Sequence, residues 1–354
     1  MSLDLSKDWD NSTIQFKALS KPSDMPNLNA GILWYHKSEN VVYSGPAGDP
    51  ALYDKFLEPI PLLSLWSLKP DGRGGGSWTE AEGPESNIWQ NVKRSTRAFT
   101  AQGADTGWIL NGAEFVDGDP ISGMLQIDMG ETKITNITEN PYSELVQQGQ
   151  MQYVPTWGSK GLLVAFAGRS NFIDVTGGTK VPVFDIAQGK WYDQATTGDQ
   201  PKWRFWYCAA GVESTNGTFE IFIYGGHILF GSNAIQYDTV HILTLPAFHW
   251  TKAPYKARYA RAGHTCTPVG GSQILVLGGS DVSIDSTKAI SDEADGKADF
   301  WIQDQNTMSS ADPWKQGLGV FDMSTLAWKD AYDASPAEYK QADVIRQYYD
   351  EAQK

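Results

Sequence analysis

Long apolar runs, positive charge and paired metal-ligand histidines are scarce in this chain. No stretch approaches the ~18–20 apolar residues that a membrane-spanning helix needs. Lysine and arginine total 28 against 42 aspartates and glutamates, for a net charge of -14. Such a chain repels a phosphate backbone, which argues against nucleic acid as a partner. The five histidines, His36, His227, His241, His249 and His264, include no pair at metal-ligand spacing. Only two cysteines are present, Cys208 and Cys266. The run Gly72-Arg73-Gly74-Gly75-Gly76 lacks the Gly-Lys-Ser/Thr ending of a phosphate loop and reads as a turn. No Gly-x-Ser-x-Gly elbow occurs, and no nucleophile–histidine–acid set can be assembled. Classical hydrolysis and redox chemistry are disfavoured.

What the chain does have is a short apolar strand closed by glycine, recurring about every 55 residues. Its copies are Val42–Gly45, Trp108–Gly112, Val164–Gly168, Phe222–Gly226 and Leu275–Gly279. Each run is too short for a helix and ends on a residue that tolerates unusual backbone angles. Before each copy stands another strand: Ala30–Tyr35, Arg97–Ala101, Gln152–Pro155, Arg204–Ala209 and His264–Pro268. After it comes a third, often ending in aspartate: Leu63–Leu68, Met124–Asp128, Pro182–Asp185, Val240–Leu243 and Gly319–Asp322. The fourth centres on Trp78, Ile134, Trp191, Trp250 or Trp328, and these tryptophans are expected in the core. Four short strands with an interior tryptophan describe one blade of a β-propeller.

Five units are complete, and Leu3–Leu5 with Thr13–Phe16 read as the third and fourth strands of an incomplete one. The expected fold is therefore all-β, a six-bladed propeller whose first blade is short of two strands. Residues 1–333 form the propeller domain, and 334–354 form a polar helical tail. Ser335-Pro336-Ala337-Glu338 reads as a capping box that opens its helix. Met1 reads as an expression start downstream of the native one. The sequons at Asn11, Asn136 and Asn216 permit glycosylation. Cys208 and Cys266 fall at equivalent places in neighbouring first strands; because adjacent first strands splay apart, two buried thiols are favoured over a bridge.

The strand, Gly-Gly and spaced Trp pattern resembles the kelch motif over nearly the whole chain. The segment from Trp314 through Gly319-Val320-Phe321-Asp322-Met323 to Trp328 and Tyr332 resembles the last blade of secreted kelch-type proteins of filamentous fungi. That group includes the hetero-Diels–Alderases of tropolone–sesquiterpene biosynthesis, which this chain resembles in size. The resemblance implies a cofactor-independent pericyclase joining a tropolone o-quinone methide to a humulene-type sesquiterpene alkene, and passage through the secretory pathway.

In a propeller, loops after the second strands and the starts of the first strands meet at one face. Candidate hydrogen-bond donors to the heterodiene oxygen there are Arg169, Arg204 and His227. Candidate substrate-contacting residues are Tyr153, Phe172, Trp206, Phe230, His264 and Trp301. Each has a plainer reading: Arg204 and Arg97 as structural salt bridges to blade aspartates, His264 as a group bonding backbone. His227, directly after Gly225-Gly226, is the hardest to explain by the repeat. Insertions at Pro46–Pro61 and Asp281–Lys315 lengthen two loops, the second carrying Phe300 and Trp301 as an apolar lid. A non-catalytic propeller that binds a glycan or protein partner is the competing reading.

Overall fold

Glycine-ended strands become the second strand of a repeated four-stranded antiparallel sheet. The computed structural model describes residues 1–28, 31–48, 62–114, 121–142, 146–166, 168–170, 178–228, 235–255, 260–280 and 314–352. The first blade is Leu33–His36, Val41–Ser44, Leu65–Pro70 and Gly76–Glu82, and the second Phe99–Gln102, Thr106–Leu110, Met124–Asp128 and Lys133–Ile137. The third is Gln150–Val154, Leu162–Phe166, Lys180–Asp185 and Lys190–Ala195. The fourth is Cys208–Glu213, Phe219–Tyr224, Val240–Leu245 and His249–Lys252, and Thr197–Gly198 adds in parallel to its last strand. The fifth is Ala262–Pro268, Gln273–Ser280, Leu318–Asp322 and Ala327–Lys329. Each sheet has the consecutive strand order of a propeller blade. The chain divides into two compact units, one of Met1–Asp4, Gln15–Ile173 and Pro182–Asp193, the other of Leu5–Ile14, Asp174–Val181 and Gln194–Lys354.

Aspartates at the ends of third strands have a local cause. Asp128 Oδ1 accepts from the backbone N–H groups of Gly130 and Glu131, Asp185 Oδ1 from Ala187 and Gln188, and Asp322 Oδ1 from Ser324 and Thr325. Each carboxylate closes the turn into the fourth strand, the task for which short acidic side chains suit turns. Asp71 does the same for Arg73 and Gly75, so the glycine run after it is a hairpin turn.

Five blades form among the described residues, not six. Leu3–Leu5 and Thr13–Phe16 are not strands. Instead Asp10 closes a turn, its carbonyl oxygen accepting from the N–H groups of Thr13 and Ile14, and its carboxylate from Ser12. Trp9–Asp10 pairs antiparallel with Ala331–Tyr332, and the rings of Trp9 and Tyr332 stack with centroids 5.3 Å apart. Buried Asn11 donates to the carbonyl oxygen of Leu318 in the fifth blade. Two lone strands would leave ladder groups unpaired, and here the front segment instead pairs its Trp9–Asp10 backbone with residues 331–332.

The fourth-strand tryptophans also differ from expectation. Trp250 is buried, whereas Trp78, Trp191 and Trp328 are half-buried. In the first, third and fifth blades the fourth strand is the sheet's edge, whereas in the fourth blade Thr197–Gly198 pairs beside Trp250 and covers it. Trp191 lies against Phe184 at 5.0 Å, and Trp328 against Phe321 at 5.0 Å.

The tail is helical only over Asp343–Ala352; Ser335–Glu338 is irregular and does not open the helix. Its residues are not merely polar cover, since Tyr339, Ala342 and Ile345 belong to the apolar core of the second unit. Gln341 Nε2 donates to Glu220 Oε1 at 2.9 Å and to Thr218 Oγ1 at 3.0 Å, so the tail completes a buried polar network. Cys208 and Cys266 form a disulfide, with Cα atoms 5.5 Å apart, and not a pair of thiols. The first strands of the fourth and fifth blades approach here closely enough to be bridged.

Candidate functional site

One backbone arrangement recurs where the second strands of the second to fifth blades end. The residue after the closing glycine pairs antiparallel with a residue just ahead of the first strand or, in the fifth blade, opening it. These pairs are Thr96 with Ala113, Gln147 with Arg169, Phe205 with His227, and Ala262 with Ser280. The next residue in each lead-in, Arg97, Gln148, Trp206 or Gly263, has a positive φ of 56°, 61°, 57° or 70°. Within the units, the carbonyl oxygen of Arg97 accepts from Gln148 N–H and that of Trp206 from Gly263 N–H. Left-handed backbone is uncommon for residues with a Cβ and persists only where surroundings over-determine it. The repeated pairing supplies that constraint, and so the fold itself holds arginine, glutamine and tryptophan at equivalent strained places.

Arginines brace the same turns. Arg204 Nη1 donates to the carbonyl oxygen of Gly225 at 3.0 Å and to Thr239 Oγ1 at 3.1 Å, while Nε donates to Lys202 O. Its guanidinium also lies 4.0 Å from the centre of the Tyr237 ring. Arg94 donates to Gly45 O, and Arg261 to Gly278 O. Arg261 lies 3.8 Å above the ring of Trp314. Each cation takes a carbonyl oxygen from a glycine turn, which satisfies the buried charge through backbone acceptors and ring faces. The partners resolved for Arg204 are thus backbone, threonine and tyrosine, not the blade aspartates expected from the sequence. Burial lowers Arg204 to about 10, against the opposing influence of nearby tyrosines, which leaves it protonated at neutral pH.

His227 sits at the centre of the fourth-blade arrangement. It is fully buried, with Phe205 edge-on at 4.3 Å and Trp206 at 5.4 Å between ring centres. Its N–H and C=O exchange hydrogen bonds with the backbone of Phe205. Trp206 is half-buried and meets this histidine edge-on. The structure therefore brings together Arg204, Trp206 and His227 on one turn of one blade. Trp203 joins them through Phe205, 5.5 Å away.

The remaining sequence candidates are placed differently. His264 is buried, and its Nε2 lies 3.1 Å from the carbonyl oxygen of Tyr224, the backbone-bonding role foreseen for it. Arg169 occupies in the third blade the place that His227 holds in the fourth, paired through its backbone with Gln147. Tyr153 stands at the wrong end of its strand for the assigned site. It pairs with Leu163 near the hairpin turn, whereas Gln150 pairs with Phe166 at the end nearest Arg169. There Tyr153 stacks on Trp108 at 5.7 Å and covers Gly161, a packing role. Phe172, Phe230, Trp301 and most of both long insertions lie outside the described residues.

Sequence reasoning missed Gln148. It is 5% exposed, and neither end of its amide has a hydrogen-bond partner among the described residues. The signal was available in principle, because Gln148 stands in phase with Arg97 and Trp206. Among the described residues, Cys208, His264 and Cys266 place their ligand atoms within 4.8 Å of one another. The disulfide engages both sulfurs, so this group offers no thiolate while the bridge is intact.

No family model matches the chain. It is similar to a kelch repeat-containing protein of Arthroderma benhamiae, 28% identical over an alignment of 387 positions that covers 94% of this chain and 52% of the relative. The chain thus spans about half the length of the curated relative it matches. The similarity supports the kelch-type propeller reading of the five blades.

Proposed function

We propose that the protein is a pericyclase that joins a tropolone o-quinone methide to a humulene-type alkene by an intermolecular hetero-Diels–Alder reaction. The observation that carries this reading is the Trp206–His227 pair, an imidazole edge-on to an indole on a turn fixed by backbone pairing. The reaction needs no nucleophile. It needs two apolar partners held face to face and a hydrogen bond to the oxygen of the heterodiene. Orienting the partners supplies on the order of 7–11 kcal/mol. A donor aimed at developing negative charge adds about 3 kcal/mol.

In this mechanism Trp206 is the wall against which one face of the substrate rests. Its displacement from His227 opens the imidazole N–H to the heterodiene oxygen. Arg204 acts as a positioning residue, because its donors already hold the Gly225 turn that carries His227. Arg169, at the matching place in the third blade, is a second candidate donor in its own right. Resemblance to the fungal hetero-Diels–Alderases supports the substrate classes.

The test is incubation of the protein with a quinone-methide precursor and humulene, with products followed by chiral chromatography. Faster formation of one stereoisomer than in buffer is expected. His227→Ala should reduce that rate by about 100-fold with the fold intact, in line with loss of one donor. Trp206→Ala should erode the stereoisomer ratio. An unchanged rate and ratio with folded protein overturns the reading and directs attention to glycan or protein binding.

A further inference from the structure

Three sequons occur, and the fold treats their asparagines differently. Asn11 is 5% exposed, and its Nδ2 donates to Leu318 O and Asp330 Oδ1. A sugar on that nitrogen would replace one of its two hydrogens, so at least one of these bonds would be lost at a buried position. Asn216 Nδ2 donates to Gln341 Oε1, and its Oδ1 accepts from Ser214 and Thr218, the hydroxyl residue of its own sequon. Asn136 lies on the edge strand of the second blade, is exposed, and makes no side-chain hydrogen bond among the described residues.

Asn136 also stands at the wall of an open cleft of about 790 Å³ between that edge strand and the turn at Asn87–Val92. The amides of Asn87, Gln90 and Asn91 line the cleft, with Ile88, Val92 and Ile134 as its apolar part. Ile88, Val92 and Ile134 are continuous with the core of the first unit, which fixes the cleft's shape. Side-chain amides beside exposed aliphatic surface match the alternating hydroxyl and C–H faces of a pyranose. The disulfide Cys208–Cys266 calls for an oxidising compartment, which in eukaryotes is where sequons are modified.

We propose that Asn136 is the N-glycosylation site of this chain and that the first sugars of its glycan lie in the Asn87–Val92 cleft. In the transfer, Asn136 Nδ2 attacks C1 of the first sugar of a lipid-pyrophosphate-linked oligosaccharide. The N–C1 bond forms, the C1–O bond to the pyrophosphate breaks, and the amide proton passes to solvent through the transferase. The glycan then covers aliphatic surface that the bare fold leaves open. The proposal does not depend on the cycloaddition, and neither outcome of that assay bears on it.

The test is secretion of the full chain from a glycosylating eukaryotic host, followed by peptide mass mapping after enzymatic release of the glycans in heavy-oxygen water. The label is expected at residue 136 and absent at Asn11 and Asn216. Unmodified Asn136, or folded protein glycosylated at Asn11, overturns the assignment. Amide hydrogen exchange then tests the cleft, comparing glycosylated protein with Asn136→Gln and Thr138→Ala, each a surface change. Amides of residues 87–92 are expected to exchange several-fold more slowly with the glycan present. Equal exchange in all three proteins overturns the docked position.

Discussion

His264 Nε2 lies 3.1 Å from the carbonyl oxygen of Tyr224, tying the first strand of the fifth blade to the second strand of the fourth. The ring is buried, and its pKa is lowered to about 3, first by burial and then by neighbouring Arg261, against the favourable pull of the Tyr224 carbonyl. His241 is lowered to about 3 as well, by burial, Arg204 and Lys252. Both histidines are neutral in the fold and take up protons near pH 6.5 when unfolded. The stability they contribute is complete above about pH 6.5 and is lost as the pH falls toward 3. Urea unfolding midpoints should fall across that window, and His264→Gln should flatten the fall. A slope unchanged in both His264→Gln and His241→Gln would contradict the assignment.

Glu220 carries the opposite sign. Its buried carboxyl is pushed above the ordinary glutamate range by burial, although Thr218, Gln341 and Thr244 hydrogen-bond it. A raised folded pKa contributes stability at low pH that is lost as the pH rises through that value. Glu220→Gln keeps the shape and removes the buried charge. The variant should match or exceed the parent's midpoint at pH 8 and lose the alkaline part of the pH profile. A drop of several kcal/mol at pH 8 would mean that the carboxylate is needed as an acceptor.

Gly226 and Gly263 separate two costs of adding a methyl group. Both have positive φ, 83° and 70°. At Gly226 a Cβ would meet Phe205 O at 2.8 Å and Tyr207 Cβ at 2.9 Å; at Gly263 nothing lies within 4 Å. Gly263→Ala should cost about 1–2 kcal/mol, the left-handed backbone term alone. Gly226→Ala should cost more and should also disturb the Phe205–His227 pairing. Equal losses by chemical unfolding would show that space beside the turn does not matter.

Gln148 holds both polar ends of a buried amide without partners among the described residues. Such groups carry a desolvation cost of about 1–3 kcal/mol that a ligand or water can recover. Gln148→Met removes the polar atoms at similar length. It should leave the free protein as stable as the parent or more so, while weakening any ligand-induced rise in melting temperature. A destabilised free protein would indicate a structural partner for the amide.

The chain's five glycine-ended strands, their partners and the aspartates that close their hairpins were legible in the sequence. Their determinants lie within a few residues: a short continuous apolar run, a turn carboxylate, and a glycine at each strand's end. His227 could be singled out because it follows Gly225-Gly226 where the repeat does not explain it, and Arg204 and Trp206 because they are a cation and an aromatic at the start of a first strand. Tyr153 was misplaced because alternation along a strand does not say which end faces a given loop.

Other features were decided only by tertiary structure. The front segment, read as half a blade, instead pairs with residues 331–332, more than 300 positions away, and a local pattern cannot encode such a partner. The Cys208–Cys266 bridge, Gln341 on Glu220 and the shared left-handed place of Arg97, Gln148 and Trp206 likewise depend on which strands are brought side by side. Sequence determined the blades because hairpins are local. Tertiary structure decided how chain ends, buried charges and candidate site residues are satisfied, because each takes its partner from a distant segment.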